Sequence, residues 1–133
     1  KAGMELRATK DEGGQKKVQL IDTPAFTLDQ WDDCDADLTR VCEGANTFVV
    51  LDASCRLREL LAIMEKAGRF RPVAIAFTRL DLVSQCGVVH DVLKTTRLPL
   101  LGASLSASFK RPFRFFEAGE LAMFLFEERG KKE

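Results

Sequence analysis

The stretch "TFVVLDASCRLRELLAIMEKAGRFRPVAIAF", residues 47–77, contains two short apolar runs with a helical pattern between them. The runs at 47–51 and 73–77 are of strand length and nearly continuous in apolar residues, as strands are when both faces of a parallel sheet are covered. Between them, from Ser54 to Gly68, apolar residues recur at helical spacing. Short connections between such elements predict a right-handed crossover that joins two parallel strands.

The same alternation extends along the rest of the chain. Two further apolar runs lie at residues 18–21 and 98–101. Helical spacing recurs at 27–43, which opens with a capping-box pattern, from about residue 84, and at about 117–128, before a polar tail at 129–133. This order predicts an α/β fold of three layers, in which helices cover both faces of a mainly parallel sheet.

The chain is the size of one domain. Its 133 residues are 46% hydrophobic and 30% charged, an ordinary globular mixture, and we expect a single domain over the whole length. Residues 1–16 form an arm with two interpretations: a helix ended by Gly13-Gly14, or a strand at 4–9 that forms a hairpin with 18–21. Its good helix formers favour the helix.

Composition narrows the classes of function. Lysine plus arginine and aspartate plus glutamate balance at 20 each, so the net charge favours neither nucleic acid nor an anionic membrane. No apolar run approaches the ~20 residues that a membrane-spanning helix needs. The four cysteines have no Cys-x-x-Cys spacing, and the chain has only one histidine that could help to bind a metal, which argues against a zinc site. We expect a protein of a reducing, cytoplasmic compartment that does not span the membrane.

Three of the four predicted strands end in residues that can carry chemistry. The turns are "DTPAF" at 22–26 after the first strand, "TRLD" at 78–81 after the third, and "GASLSA" at 102–107 after the fourth. In parallel sheets, ligands bind beyond the carboxyl ends of the strands. These turns are therefore the candidate ligand site.

The residue types in these turns suit a purine nucleotide. Guanine presents two parallel donors, its N1–H and 2-amino group, which the carboxylate of Asp81 can accept together. The aliphatic part of Arg79 can lie over the base, with its guanidinium stacked on it. Asp22 would face the phosphates and hold the water shell of Mg²⁺.

These turns resemble the motifs of a known family. The cluster at Asp22 is similar to the third motif of GTPases, and the turn at 78–81 resembles the fourth, a Thr/Asn-Lys-x-Asp pattern with Arg in place of Lys. Residues 16–126 resemble the second half of the G domain in signal-recognition-particle GTPases, most closely the flagellar biosynthesis branch. The stretches "FVVLDASCRLRELL", "AFTRLDLVSQCGVVHDVL" and "LPLLGASLSASFKRPFRFFEAGELAMFLF" carry this resemblance.

The resemblance implies a P-loop-NTPase-like fold, incomplete in this chain, with GTP or GDP and Mg²⁺ as ligands. Asp22 would hold the Mg²⁺ indirectly. The residues assigned to the phosphate and magnesium side are Asp22, Thr23 and Ala25, and those assigned to the guanine side are Thr78, Arg79, Asp81, Ser106 and Ala107.

Several positions depart from the family pattern. Ala25 and Phe26 stand where the family has a glycine that meets the γ-phosphate and a catalytic arginine, and Ser106-Ala107 stands where it has Gly-Gln. No G-x-x-x-x-G-K-[ST] phosphate loop occurs in the sequence. Without that clamp, phosphoryl transfer loses much of its electrostatic stabilisation, so we expect weak or no GTP hydrolysis.

Three functions follow as hypotheses. The favoured one is a degenerate or truncated GTPase-like domain with a protein-interaction or regulatory role in protein targeting or flagellar assembly. Its partner would be a G-domain homologue or a second copy, and it would associate peripherally with the inner membrane face. The second is a fragment of an active GTPase whose phosphate loop lies upstream of residue 1. The third is an interaction module that binds no nucleotide.

One further segment, "SFKRPFRFF" at 108–116, interleaves cations with phenylalanines. This mixture also occurs in contacts with single-stranded nucleic acid and with membrane surfaces. The favoured interpretation is a loop whose phenylalanines anchor it to the core while the cations remain in water.

Overall fold

The computed structural model of the chain describes residues 6–8, 19–23, 25, 30, 35–83, 86–105 and 113–127. The chain divides into two compact units, Lys1–Ala45 and Asn46–Glu133. Within the described ranges, none of the helices is both long and apolar enough to cross a membrane.

The first unit contains a short antiparallel strand pair. Strand β1, Leu6–Ala8, pairs with strand β2, Gln19–Ile21, so that Leu6 lies opposite Ile21. The helix favoured for residues 1–16 was therefore wrong over β1, and the hairpin alternative is correct there. Helix propensity differs by at most about 0.7 kcal/mol per ordinary residue, and the backbone hydrogen bonds of the strand pair outweigh it.

Helix α1, Asp35–Cys42, follows in the same unit and confirms a helix in the predicted segment 27–43. Leu38 is buried, as its place on the apolar face predicts. The predicted start of this helix lies outside the described residues, apart from Gln30, which is in a turn.

The second unit is built on a four-stranded mixed sheet. Its strands are β3 Phe48–Asp52, β4 Ala74–Thr78, β5 Leu100–Ser104 and β6 Phe113–Arg114, and they lie in the sheet in that order. The first three are parallel, and β6 is antiparallel to β5. This confirms the three predicted strands of this region and the α/β class. Strand β6 was not predicted, because it falls in the segment interpreted as a loop.

Two helices connect the parallel strands, and a third follows β6. Helix α2, Leu57–Ala67, links β3 to β4, and α3, Gly87–Thr96, links β4 to β5. Because neighbouring strands follow one another in the chain, crossovers of the same hand place both helices on one face of the sheet, and α2 contacts α3. Helix α4, Ala118–Glu127, confirms the last predicted helix.

The core of the second unit lies between the sheet and helices α2 and α3. Leu51, Phe77 and Ala103 occupy equivalent positions on the three parallel strands, and each is at most 2% exposed. The helices contribute Leu60, Met64, Val89 and Val92. This packing fixes the register of the strands and therefore brings their carboxyl ends side by side.

Candidate functional site

Polar side chains meet where the parallel strands end. Asp52, the last residue of β3, lies opposite Thr78, the last residue of β4, and Ser104 ends the neighbouring strand β5. We refer to residues 52–55, 78–82 and 104–105 as the carboxyl edge. Ligands of parallel sheets bind at this edge, which makes it the candidate functional site.

The carboxylate of Asp52 is held by two partners, one on each oxygen. Its Oδ1 accepts hydrogen bonds from the backbone N–H of Ser54 at 2.9 Å and from the Ser54 hydroxyl at 2.6 Å. Its Oδ2 lies 3.2 Å from a terminal nitrogen of Arg79. The Asp52 side chain is 31% exposed and the Arg79 side chain 62%, so the ion pair lies at the rim of the edge and remains in contact with water.

The surroundings of Asp52 keep it ionised. Burial by itself would raise the pKa of this carboxyl, but the hydroxyl and N–H of Ser54 and the positive charge of Arg79 together outweigh burial and lower the pKa below its usual value. The carboxylate is therefore charged at neutral pH.

Two hydrogen bonds join the end of β3 to the end of β4. The Thr78 hydroxyl donates to the carbonyl of Leu51 at 3.3 Å, and the N–H of Ala53 donates to the carbonyl of Thr78 at 3.0 Å. The two strands thus stay joined beyond their last paired residues. This fixes the distance between the backbone at Asp52 and the backbone at Arg79.

The predicted guanine turn has a defined shape. Arg79 has a left-handed backbone, with φ of 58°, and it begins a single 3₁₀ turn, Leu80–Leu82, that contacts β5. Leu80 is 4% exposed and anchors the turn in the core. Asp81 is exposed, and no side chain among the described residues forms an ion pair with it. Its carboxylate is therefore presented to solvent from a turn that is fixed at its base.

The residues predicted from sequence fall into three groups. Thr78, Arg79 and Asp81 lie together at the carboxyl edge. The residues Asp22, Thr23 and Ala25 belong to the first unit and are exposed there. Ser106 and Ala107 lie outside the described residues.

Sequence reasoning missed Asp52 and Ser54. The "LDAS" stretch was interpreted as a strand followed by a turn and a helix, without a role for its polar residues. A signal was present, because Asp52 ends an apolar run in the same way that Asp22 does. Its partner Arg79 lies 27 positions away in the sequence, since 79 − 52 = 27. Only the pairing of β3 with β4 brings the two residues together.

Cys55 lies beside this ion pair. Its thiol is free and half-buried. Burial raises its pKa first, the carboxylates of Asp52 and Glu59 raise it further, and Arg79 partly offsets them. The thiol is therefore protonated at neutral pH, which is the opposite of an activated nucleophile.

A second concave surface lies at the opposite end of the sheet. This depression of about 340 Å³ is lined by Met64, Glu65, Gly68, Pro72, Thr96 and Leu98. Its lining is mainly apolar, and the Thr96 hydroxyl already donates to the carbonyl of Val92 at 2.8 Å. Convergent polar groups are thus found at the carboxyl edge rather than here.

Among the described residues, histidine, cysteine, aspartate and glutamate side chains do not come together in a group of three or more that could hold a metal ion. No family model matches the sequence, and no curated protein matches it either.

Proposed function

We propose that the chain is a G-domain-like module of the signal-recognition-particle GTPase type, in which the carboxyl edge binds a guanine base. The module has a P-loop-NTPase-like architecture with a second helical layer opposite α2 and α3. It hydrolyses GTP weakly or not at all. Its role is protein interaction or regulation in protein targeting or flagellar assembly, in the cytoplasm near the inner membrane face.

The observation that carries this proposal is the turn after β4. Leu80 is buried and Asp81 is exposed within one turn of 3₁₀ helix, so the carboxylate reaches solvent from a turn that Leu80 anchors in the core. A carboxylate presented from an anchored turn can accept two parallel donors, and the N1–H and 2-amino group of guanine form such a pair. Adenine has no hydrogen on N1 and no 2-amino group, so the same geometry discriminates against it.

The sequence on the proposed phosphate side argues against efficient hydrolysis. By the sequence resemblance alone, Asp22 is assigned to Mg²⁺ through water, and Thr23 and the backbone of Ala25 are assigned to the phosphates. Phe26 carries no charge, and the sequence has no phosphate-binding loop. Because phosphoryl transfer depends mainly on positioning and charge stabilisation, these replacements favour a regulatory role over turnover.

The decisive experiment changes which base the site accepts. The full chain is titrated by calorimetry with GDP, ADP and xanthosine diphosphate. The wild-type chain is expected to prefer GDP. In Asp81→Asn, the amide can donate to the C2 carbonyl of xanthine but cannot accept both guanine donors, so the preference moves to xanthosine diphosphate. Loss of a charged hydrogen bond weakens GDP binding by about 10-fold or more.

The matched control is Asp91→Asn. Asp91 is an exposed aspartate on α3 that pairs with His90 at 3.1 Å, away from the carboxyl edge. Its removal is expected to leave all three affinities unchanged. The proposal fails if the wild-type chain binds no GDP at millimolar concentration, or binds GDP and ADP equally well.

A second candidate function is an interaction module that binds a second copy of the chain and no nucleotide. The observation that favours it is on β3, the first strand in the order of the described sheet, where Phe48 is 49% and Val50 63% exposed. Sedimentation velocity of the wild-type chain and of Val50→Lys tests it. A dimer that Val50→Lys dissociates, without GDP binding, would support this function.

A further inference from the structure

We infer that Asp52 is a positioning residue for the base site: it anchors the guanidinium of Arg79 at the end of β3, so that the methylene stem of Arg79, rather than its charge, faces the base. This inference rests on the proposed guanine site. It adds a residue that the fourth GTPase motif does not contain.

Asp52 is suited to act as an anchor because it is itself fixed. One oxygen is occupied by the two hydrogen bonds from Ser54, at 2.9 and 2.6 Å, which leaves the other directed at Arg79 at 3.2 Å. A carboxylate with both oxygens engaged has little rotational freedom. The guanidinium that it holds therefore has a defined position.

The backbone gives Arg79 its direction. Asp52 lies opposite Thr78 in the parallel pair, so the residue after Thr78 starts beside the end of β3. The left-handed backbone of Arg79 then turns the chain towards β5, where Leu80 and Asp81 follow. The side chain of Arg79 thus extends towards β3 while the turn itself lies towards β5.

This division has a chemical consequence for the base. The turn that carries Asp81 contacts β5, and the Arg79 guanidinium is paired with Asp52 at the end of β3. The uncharged stem of Arg79 connects the two sides and offers an apolar surface. An arginine held in this way loses less rotamer freedom when a base binds than an unpaired one would, which favours affinity.

The test is a double-mutant cycle on the full chain, with GDP affinity measured by calorimetry. The variants are Asp52→Asn, Arg79→Met, which keeps an unbranched stem without the charge, and the double variant. Asp52→Asn is expected to weaken GDP binding about 3- to 10-fold, because the freed arginine must be ordered on binding. Arg79→Met loses the same anchor and is expected to weaken GDP binding by a similar factor, and adding Asp52→Asn to it should cost nothing more.

A merely structural role would give a different pattern, since Asp52→Asn would then cost the same in the wild-type and Arg79→Met backgrounds. Glu120→Gln is the matched control, because Glu120 forms a comparable exposed pair with Arg114 at 3.6 Å. It should leave GDP affinity unchanged. Urea unfolding of each variant establishes that all are folded at the temperature of the titration.

The outcomes separate the two proposals. Absence of GDP binding by the wild-type chain overturns the proposed function and this inference with it. GDP binding that depends on Asp81 but is unchanged in Asp52→Asn overturns the inference alone. The same holds if Asp52→Asn and Arg79→Met are additive in the double variant.

Discussion

The ring of Phe113 occupies the space beside Gly102 in which a side chain would otherwise lie. A β-carbon built on Gly102 would stand 2.9 Å from Cζ of this ring and closer still to another ring carbon and to the carbonyl oxygen of Arg114. Gly102 is on β5, and both neighbours are on the antiparallel strand β6. The glycine is therefore required by the close approach of β6.

This contact predicts that Gly102→Ala destabilises the fold by about 1–3 kcal/mol, because one of the clashing atoms belongs to the backbone and cannot rotate away. Urea unfolding monitored by circular dichroism measures the effect. Gly119→Ala on α4 is the control, since a β-carbon there meets nothing within 4 Å and alanine favours a helix. Equal stability of Gly102→Ala and the wild type would contradict the contact.

The end of α3 predicts a stabilising substitution. Arg97 closes this helix with a left-handed backbone, φ of 58°, while its N–H donates to the carbonyl of Leu93 at 2.9 Å. A residue with a β-carbon is strained there, so Arg97→Gly should raise the free energy of unfolding by about 0.5–1 kcal/mol. Lys94→Gly, inside the same helix, should lower it by about 1 kcal/mol. A lower unfolding midpoint in Arg97→Gly than in the wild type would contradict the strain inferred at Arg97.

The Asp52 carboxylate predicts a dependence of stability on pH. Its pKa in the folded chain is below that in the unfolded chain, so its contribution is complete above about pH 4 and is lost as the pH falls through the folded-state value. Because the Asp52–Arg79 ion pair is partly solvated, the carboxylate contributes at most about 1 kcal/mol to the free energy of unfolding. Asp52→Asn should lose less stability than the wild type between pH 6 and pH 3 in urea unfolding. Identical losses would show that the carboxylate is not held as described.

The reactivity of the Cys55 thiol tests the Asp52–Arg79 ion pair in the absence of any ligand. The charge of Asp52 helps to raise the pKa of this thiol, and Arg79 lowers it. Asp52→Asn should therefore speed iodoacetamide alkylation of Cys55 at pH 8 about two- to fivefold, and Arg79→Met should slow it. Mass spectrometry measures the rate, with Cys42 as the internal reference. Equal rates of Cys55 alkylation in the wild type, Asp52→Asn and Arg79→Met would show that the Asp52–Arg79 ion pair does not lie beside Cys55.

The sequence predicted the parallel strands and the helices of the second unit because each carries its own periodic pattern. Residues 73–77 are continuously apolar, and the structure places β4 there with a shift of one residue. Strand β6 was not predicted and strand β1 was the disfavoured alternative, both for the same reason. β1 consists of helix-forming residues, and β6 is only two residues long, so in both cases the strand exists through its partner rather than through its own pattern.

The candidate site was predictable only in part. The turn at 78–81 was recognisable because its motif residues are contiguous, and the structure brings Thr78, Arg79 and Asp81 to one edge. The partner of the Arg79 guanidinium was not predictable from the sequence. Its guanidinium was expected on the base, whereas the structure pairs it with Asp52. The proposed guanine contacts of Ser106 and Ala107 remain predictions.

By itself, the sequence determined the α/β class, the order of the parallel strands and helices in the second unit and the carboxylate at Asp81, because hydrophobic periodicity and contiguous motifs are local properties. The tertiary structure decided which residues face one another. It chose the hairpin for β1, placed Phe113 against Gly102 and paired Asp52 with Arg79 across two strands. Each of these is a contact between residues distant in the sequence, whose free energy appears only when the chain brings them together.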